Sequence, residues 1–185
     1  MTTEGKFKFA LKDMMLTKPL QEITVTALCS KCRCHRQTFY YHYQDIYDLL
    51  ASIFLNESIP AMDNATDIKG LLMGLLEYSK TNFAFLKSSY GSAARDLVDD
   101  FFYGRIMAPM LQILLKDQNS GLTKDGCRVV ARRFSKLVSD EFGYAFKDAR
   151  VTMAKLDRQM KKYINAVLST ILPSLVELTK IEKKR

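Results

Sequence analysis

The chain has 185 residues, enough for one medium domain or a small domain joined to a larger one. Hydrophobic residues make up 48% of it, which excludes global disorder, and eight glycines and four prolines are too few to punctuate many short strands. The net charge is +8, but residues 1–50 carry seven Lys/Arg against five Asp/Glu while residues 147–185 carry ten against four. The excess sits mainly near the C-terminal end, so basicity alone is weak ground for a nucleic-acid partner.

The elements in chain order are helical. Phe7, Leu11, Met14 and Met15 form a first short stripe, followed by a turn around Lys18 and Pro19. Val25, Leu28 and Cys29 make a second face, which Thr24 or Thr26 can cap. After a turn near Arg33, a third helix starts near His35 and places Phe39 and Tyr43 four apart. Ile46, Leu49, Leu50, Ile53 and Phe54 mark a fourth, with Asp45 as its N-cap. Residues 58–66, with Pro60 and an Asp63-Asn64 turn, form a break. That break divides the chain into a domain of residues 1–56 and a second of residues 57–185.

The second domain is read as longer helices. Residues 67–80 bury Ile68, Leu71, Leu72, Leu75 and Leu76, and Gly70 and Gly74 permit a close helix crossing. A short helix covers 83–88. Residues 93–115 are helical with a kink or break at Gly104 and Pro109, and residues 119–121 are a loop. Residues 123–147 carry Cys127, Val130, Ala131, Phe134, Leu137, Val138 and Phe142 on one face. The last helix, 152–179, has the stripe Met160, Ile164, Val167, Leu168, Ile171, Leu175 and Leu178, bent by Pro173. The tail KIEKKR, 180–185, reads as a solvated helix end. Two long amphipathic helices are covered either within the chain or by a twofold partner, as a four-helix bundle.

Residues 23–50, ITVTALCSKCRCHRQTFYYHYQDIYDLL, describe a helix-turn-helix between two flanking helices. The second short helix opens with His35, Arg36, Gln37 and Thr38. Arg pairs bidentately with guanine and Gln with adenine, so Arg36 and Gln37 suit base edges. Tyr40, Tyr41 and His42 offer donors to phosphate on the exposed side, while Phe39 and Tyr43 pack inward.

This stretch resembles the TetR family of transcription regulators. The matching residues are Ile23-Thr24-Val25, Arg36, Thr38-Phe39-Tyr40, His42-Tyr43, Asp45 and Asp48-Leu49, in order and without a gap. RQTFYYHY looks like the subgroup that includes dihydroxyacetone-kinase operon regulators. The resemblance implies an all-α protein: an N-terminal three-helix reading head, and a C-terminal helical domain that dimerises and binds an effector. It implies a homodimer that binds a palindromic double-stranded DNA operator, with repression the default; the last two helices are the expected place where the copies join. Arg36, Gln37, Tyr40, Tyr41 and His42 fall on family positions that commonly face DNA, and Thr24, Thr26, Arg33 and Thr38 are further candidate DNA-binding residues. The signal would be a small molecule or a protein. Two departures stand out: Arg33 occupies the turn position that usually holds glycine, and Ile46 stands where lysine is common.

Cys29, Cys32 and Cys34 fall where the family uses small or valine-like residues, so they read as small hydrophobes. A thiol or zinc sensor built on them remains an alternative, as does an interaction module whose head has lost DNA binding. In the second domain Phe83, Phe101, Tyr103, Met107, Met110, Phe134 and Phe142 are candidates for an effector pocket, with the Gly104–Pro109 irregularity its local pointer. Ordinary core is the bland reading of each. No enzyme constellation, cofactor motif or metal site is expected: both histidines lie in the reading head, Gly-rich phosphate loops are absent, and Asp96, Asp99 and Asp100 suit a solvated face. No secretory h-region and no membrane span is read, and a cytoplasmic location is expected.

Overall fold

The computed structural model describes residues 2–148 and 150–182. All regular structure among them is helical. Residues 183–185 of the expected solvated tail lie outside the described residues. The chain forms two compact units, residues 1–57 with 82–101, and residues 58–81 with 102–185. The first crossing falls one residue from the expected boundary, but the chain then returns to the first unit for residues 82–101.

In the first unit, α1 (Thr3–Met14) starts at Thr2, whose hydroxyl accepts the Gly5 N–H. Phe7, Leu11 and Met15 of the expected stripe are buried. A 3₁₀ turn, Leu20–Glu22, which the sequence pattern does not signal, buries Leu20 and leads into α2 (Val25–Cys32). Thr24 rather than Thr26 is the N-cap, accepting the Ala27 N–H at 3.1 Å. α3 (Arg36–His42) and α4 (Ile46–Asn56) follow. Asp45 caps α4 by accepting the Asp48 N–H at 2.8 Å, and the Asp48 carboxylate accepts the Gln44 N–H at 2.9 Å. Phe54 packs on Phe85 and Phe101, which draws α7 (Phe83–Tyr90) and the start of α8 (Arg95–Lys116) into this unit. Lys12 binds Glu57 at 2.7 Å and lies over the Phe85 ring.

The second unit holds a short α5 (Pro60–Asp63), α6 (Ile68–Thr81), the remainder of α8, α9 (Lys124–Lys147), α10 (Met153–Ala166) and α11 (Leu172–Glu182). α5 packs on α6, α6 on α10, and α11 on α9. A π turn, Val167–Ile171, fuses α10 and α11 into one helix, Met153–Glu182.

Several expectations change. Only Gly74 permits a close crossing: a Cβ there would stand 3.1 Å from the Ala61 backbone, whereas Gly70 faces outward. α8 runs unbroken through Gly104 and Pro109, so no break falls there. Leu137 of the α9 stripe is exposed. Met160, Ile164 and Val167 are buried as expected, but Leu178 is 53% exposed and Thr179 is buried in its place. The π turn explains this last change. It inserts an extra residue and so turns everything downstream by about 100°. It lies just before Pro173, where the missing N–H and the ring need a looser backbone. Its signature is the Leu172 N–H bonded to the carbonyl of Val167, five residues back.

The joined helix bears on the expectation that no segment spans a membrane. Met153–Glu182 is long and apolar enough by length and composition, with only 17% of its most apolar window buried within the chain. Its charge-free stretch, residues 163–176, nonetheless falls short of the roughly 20 residues a span requires.

Candidate nucleic-acid interface

The turn between α2 and α3 closes as a Schellman motif. The Cys34 N–H bonds the Cys29 carbonyl at 3.1 Å and the Arg33 N–H bonds the Ser30 carbonyl at 3.2 Å. Arg33 sits in the left-handed region at φ 53, ψ 47, and is the sole non-glycine residue with positive φ among the described residues. The turn geometry expected of glycine is thus kept, and arginine accepts its strain.

This motif favours an apolar contact between the residues at its two ends, and here those residues are Cys29 and Cys34. Cys29 is 3% exposed. Burial first, and the adjacent Cys34 second, push its thiol up to about 11. Burial also pushes the Cys32 thiol up. The Cys32 S–H points at the Lys6 carbonyl and the Cys34 S–H at the Cys29 carbonyl. A thiol protonated at neutral pH is a poor nucleophile and a poor metal ligand. No group of three His, Cys, Asp or Glu that could hold a metal ion occurs among the described residues.

α3 is held by an aromatic cluster. Phe39 meets Phe7 edge-on at 5.3 Å and Tyr43 at 5.7 Å, and Tyr43 meets Phe7 at 6.3 Å. All three are buried, so burial and ring geometry fix the helix against α1. The opposite face is open. Arg33, Arg36, Gln37 and Tyr40 are exposed, and Tyr41 is 85% exposed. The Arg36 guanidinium stacks over the Tyr40 ring at 5.9 Å and its Nη2 donates to the Tyr40 hydroxyl at 3.4 Å. Neither Arg33 nor Arg36 has a carboxylate partner among the described residues. In the same unit, Lys12 is neutralised by Glu57 and Lys31 by Asp13 at 2.5 Å.

The remaining implied contacts are placed less openly. Thr24 spends an oxygen lone pair on its cap, Thr26 is exposed and Thr38 is half-buried. His42 is half-buried, with Nδ1 3.3 Å from the Glu4 carboxylate, so it does not lie freely on the outer face. Glu4, 38 residues away in sequence, is the neighbour that local pattern reading misses. Ile46 is buried in the core of the head, which explains how an apolar residue stands where a phosphate-binding lysine is common.

The seven effector-pocket candidates are divided. Phe83 and Phe101 belong to the first unit; Tyr103, Met107, Met110, Phe134 and Phe142 belong to the second. Met110, Phe134 and Phe142 are fully buried, with Phe142 packed on Phe102. An open groove of about 590 Å³ does run along Gly104, Arg105, Pro109, Gln112 and Lys116. None of the seven candidates lines it. Arg105 at its edge is tied to Asp63 at 3.1 Å.

No family profile and no curated protein matches the chain. Solved structures do. The dihydroxyacetone kinase operon activator DhaS superposes with a TM-score of 0.66 at 19% identity, covering 89% of this chain and 94% of that one. This chain shares the all-helical fold of that structure. A protein described as a transcriptional regulator from Pseudomonas aeruginosa PAO1 gives a TM-score of 0.55 at 14% identity, covering 93% of each chain. The fatty acid degradation regulator FadR from Bacillus halodurans gives 0.56 at 13%, covering 89% of this chain and 95% of that one. All three of these structures belong to proteins named as regulators or activators.

Proposed function

We propose that the chain is a cytoplasmic, DNA-binding transcription regulator that works as a homodimer on a palindromic operator. Residues 1–56 bind the duplex, and residues 57–185 dimerise and receive a small-molecule or protein signal. The observation that carries this reading is the turn at Arg33 followed by α3. Its inner face is locked by Phe39 and Tyr43, and its outer face presents Arg33, Arg36, Gln37 and Tyr41. That is the arrangement a helix needs to enter a major groove. Phosphate contacts fall to Thr26, Arg33, Tyr40 and Tyr41, with His42 held back by Glu4.

The homodimer reading rests on the joined helix Met153–Glu182. Ile171 ends the π turn, Leu175, Leu178 and Ile181 follow it, and all four are exposed or half-buried in one chain. A second copy around a twofold axis covers such a row with its own. Binding of a signal in the second domain would favour one spacing of the two heads, shifting operator affinity by a coupling of about 1–3 kcal/mol. Repression by promoter occlusion is the simplest outcome. Activation is the second reading, because the similar DhaS structure belongs to a protein named as an operon activator.

Selection from a random duplex library at near-physiological salt, together with sedimentation of the free protein, tests this. The expected result is a dimer that enriches a palindrome. A folded protein that enriches nothing, or that binds all duplexes with one salt dependence, refutes it. Transcription from a promoter carrying the selected site then decides the sign of regulation.

A further inference from the structure

We infer that Arg36 reads a guanine in each half-site and that Tyr40 is the positioning residue that holds its guanidinium ready. The inference rests on the operator-binding reading above and specifies its chemistry.

Arg36 is the first residue of α3, at the end of the helix that leads into a groove. A free arginine on such a surface samples many rotamers, and ordering it on binding costs affinity. Here the side chain is already placed by its own helix. Tyr40, one turn on, takes the guanidinium on its ring face at 5.9 Å and one Nη2 N–H on its hydroxyl at 3.4 Å. An arginine has five N–H donors in a rigid fork. Spending one on Tyr40 leaves four, and the guanine O6 and N7 edge needs two. The Tyr40 hydroxyl accepts from Arg36 and keeps its own O–H to donate.

Charge supports the same assignment. Arg36 has no carboxylate partner among the described residues, so no internal ion pair must break before it binds DNA. Lys31, one turn upstream of the motif's end, is held by Asp13. Gln37 follows directly and is exposed, which places an amide beside the fork. The adjacent pair suits a guanine next to an adenine.

The test is the same library selection applied to full-length wild type and to Arg36→Ala, Arg36→Lys, Tyr40→Phe and Tyr40→Ala. Arg36 and Tyr40 are exposed, so the variants keep the fold, and circular dichroism checks it. Wild type is expected to show one guanine column per half-site with a preference of roughly 5- to 150-fold. Arg36→Ala and Arg36→Lys should flatten that column and leave the others, Arg36→Lys because an ammonium cannot replace a fork. Tyr40→Phe should weaken the guanine preference several-fold without changing the base, and Tyr40→Ala should weaken it further. Uniform weakening of all sequences by Arg36→Ala would make the residue a phosphate contact and overturn the inference. An enriched site whose guanine columns ignore residue 36 would do the same. Guanine preference intact in both Tyr40 variants would remove Tyr40 from the mechanism. Wild type enriching no sequence would sink the operator reading itself, an outcome distinct from these.

Discussion

Replacing Arg33 by glycine separates what the turn costs from what its side chain does. Arg33 holds φ 53, ψ 47, where a Cβ meets the following carbonyl. That conformation costs an L-residue about 1–2 kcal/mol, which Arg33→Gly relieves. Glycine's greater freedom in the unfolded chain returns about 0.5–1 kcal/mol of the gain. The net expectation is a stabilisation of about 0.5–1 kcal/mol, seen as a higher urea midpoint at unchanged slope. DNA binding should move the other way. Arg33 is exposed and has no carboxylate partner among the described residues. If each head of a dimer loses one phosphate contact, the slope of log affinity against log salt shrinks by about two. A variant no more stable than wild type would refute the strain argument. An unchanged salt slope would show that the arginine does not touch the duplex, so its presence in a glycine position would need another cause.

The two glycines of α6 should respond oppositely. Gly70→Ala faces outward and should stabilise by up to about 1 kcal/mol. Gly74→Ala would press on the Ala61 backbone at 3.1 Å and should cost about 1–3 kcal/mol, both read from denaturant midpoints. Cys29, with its thiol pushed up to about 11, should resist alkylation at pH 8 in the folded protein and react on unfolding. Because its folded value lies above the unfolded one, the associated stability is complete below about pH 9 and is lost as pH rises toward 11. Rapid labelling at neutral pH would reopen the thiol-sensor reading. Leu178→Glu with Ile181→Glu should yield a folded monomer in sedimentation at micromolar concentration, since each change enters a twofold interface twice. A dimer that persists would place the interface elsewhere.

The helix-turn-helix of the first unit could be anticipated from sequence because its determinants are local. The α2 cap at Thr24, the inward pair Phe39 and Tyr43, and the Asp45 cap each lie within a few residues of what they control. The anomaly at Arg33 was visible too, since the turn demands one backbone conformation whichever residue supplies it. What escaped was settled by distant partners or by backbone irregularity. The Glu4–His42 contact joins residues far apart in sequence, so no spacing signals it. Gly70 and Gly74 look alike in sequence, and only α5 packing on one of them tells them apart. Apolar periodicity assumes an even 3.6-residue turn, and it put Leu178 inside where Thr179 goes.

That uneven turn has a further consequence. Met153–Glu182 is a rod whose two halves are out of phase, the first burying Met160, Ile164 and Val167 and the second burying Thr179 against its own chain while leaving Leu178 and Ile181 exposed. If the chain dimerises as proposed, folding and assembly draw on different residues of one helix. Substitutions at Met160 or Ile164 should register in an unfolding experiment at any dilution. Substitutions at Leu178 should register only through their dependence on protein concentration. Deleting one residue from the π turn would bring the halves back into phase, turning the outer row of leucines inward and leaving the chain with nothing to offer a second copy.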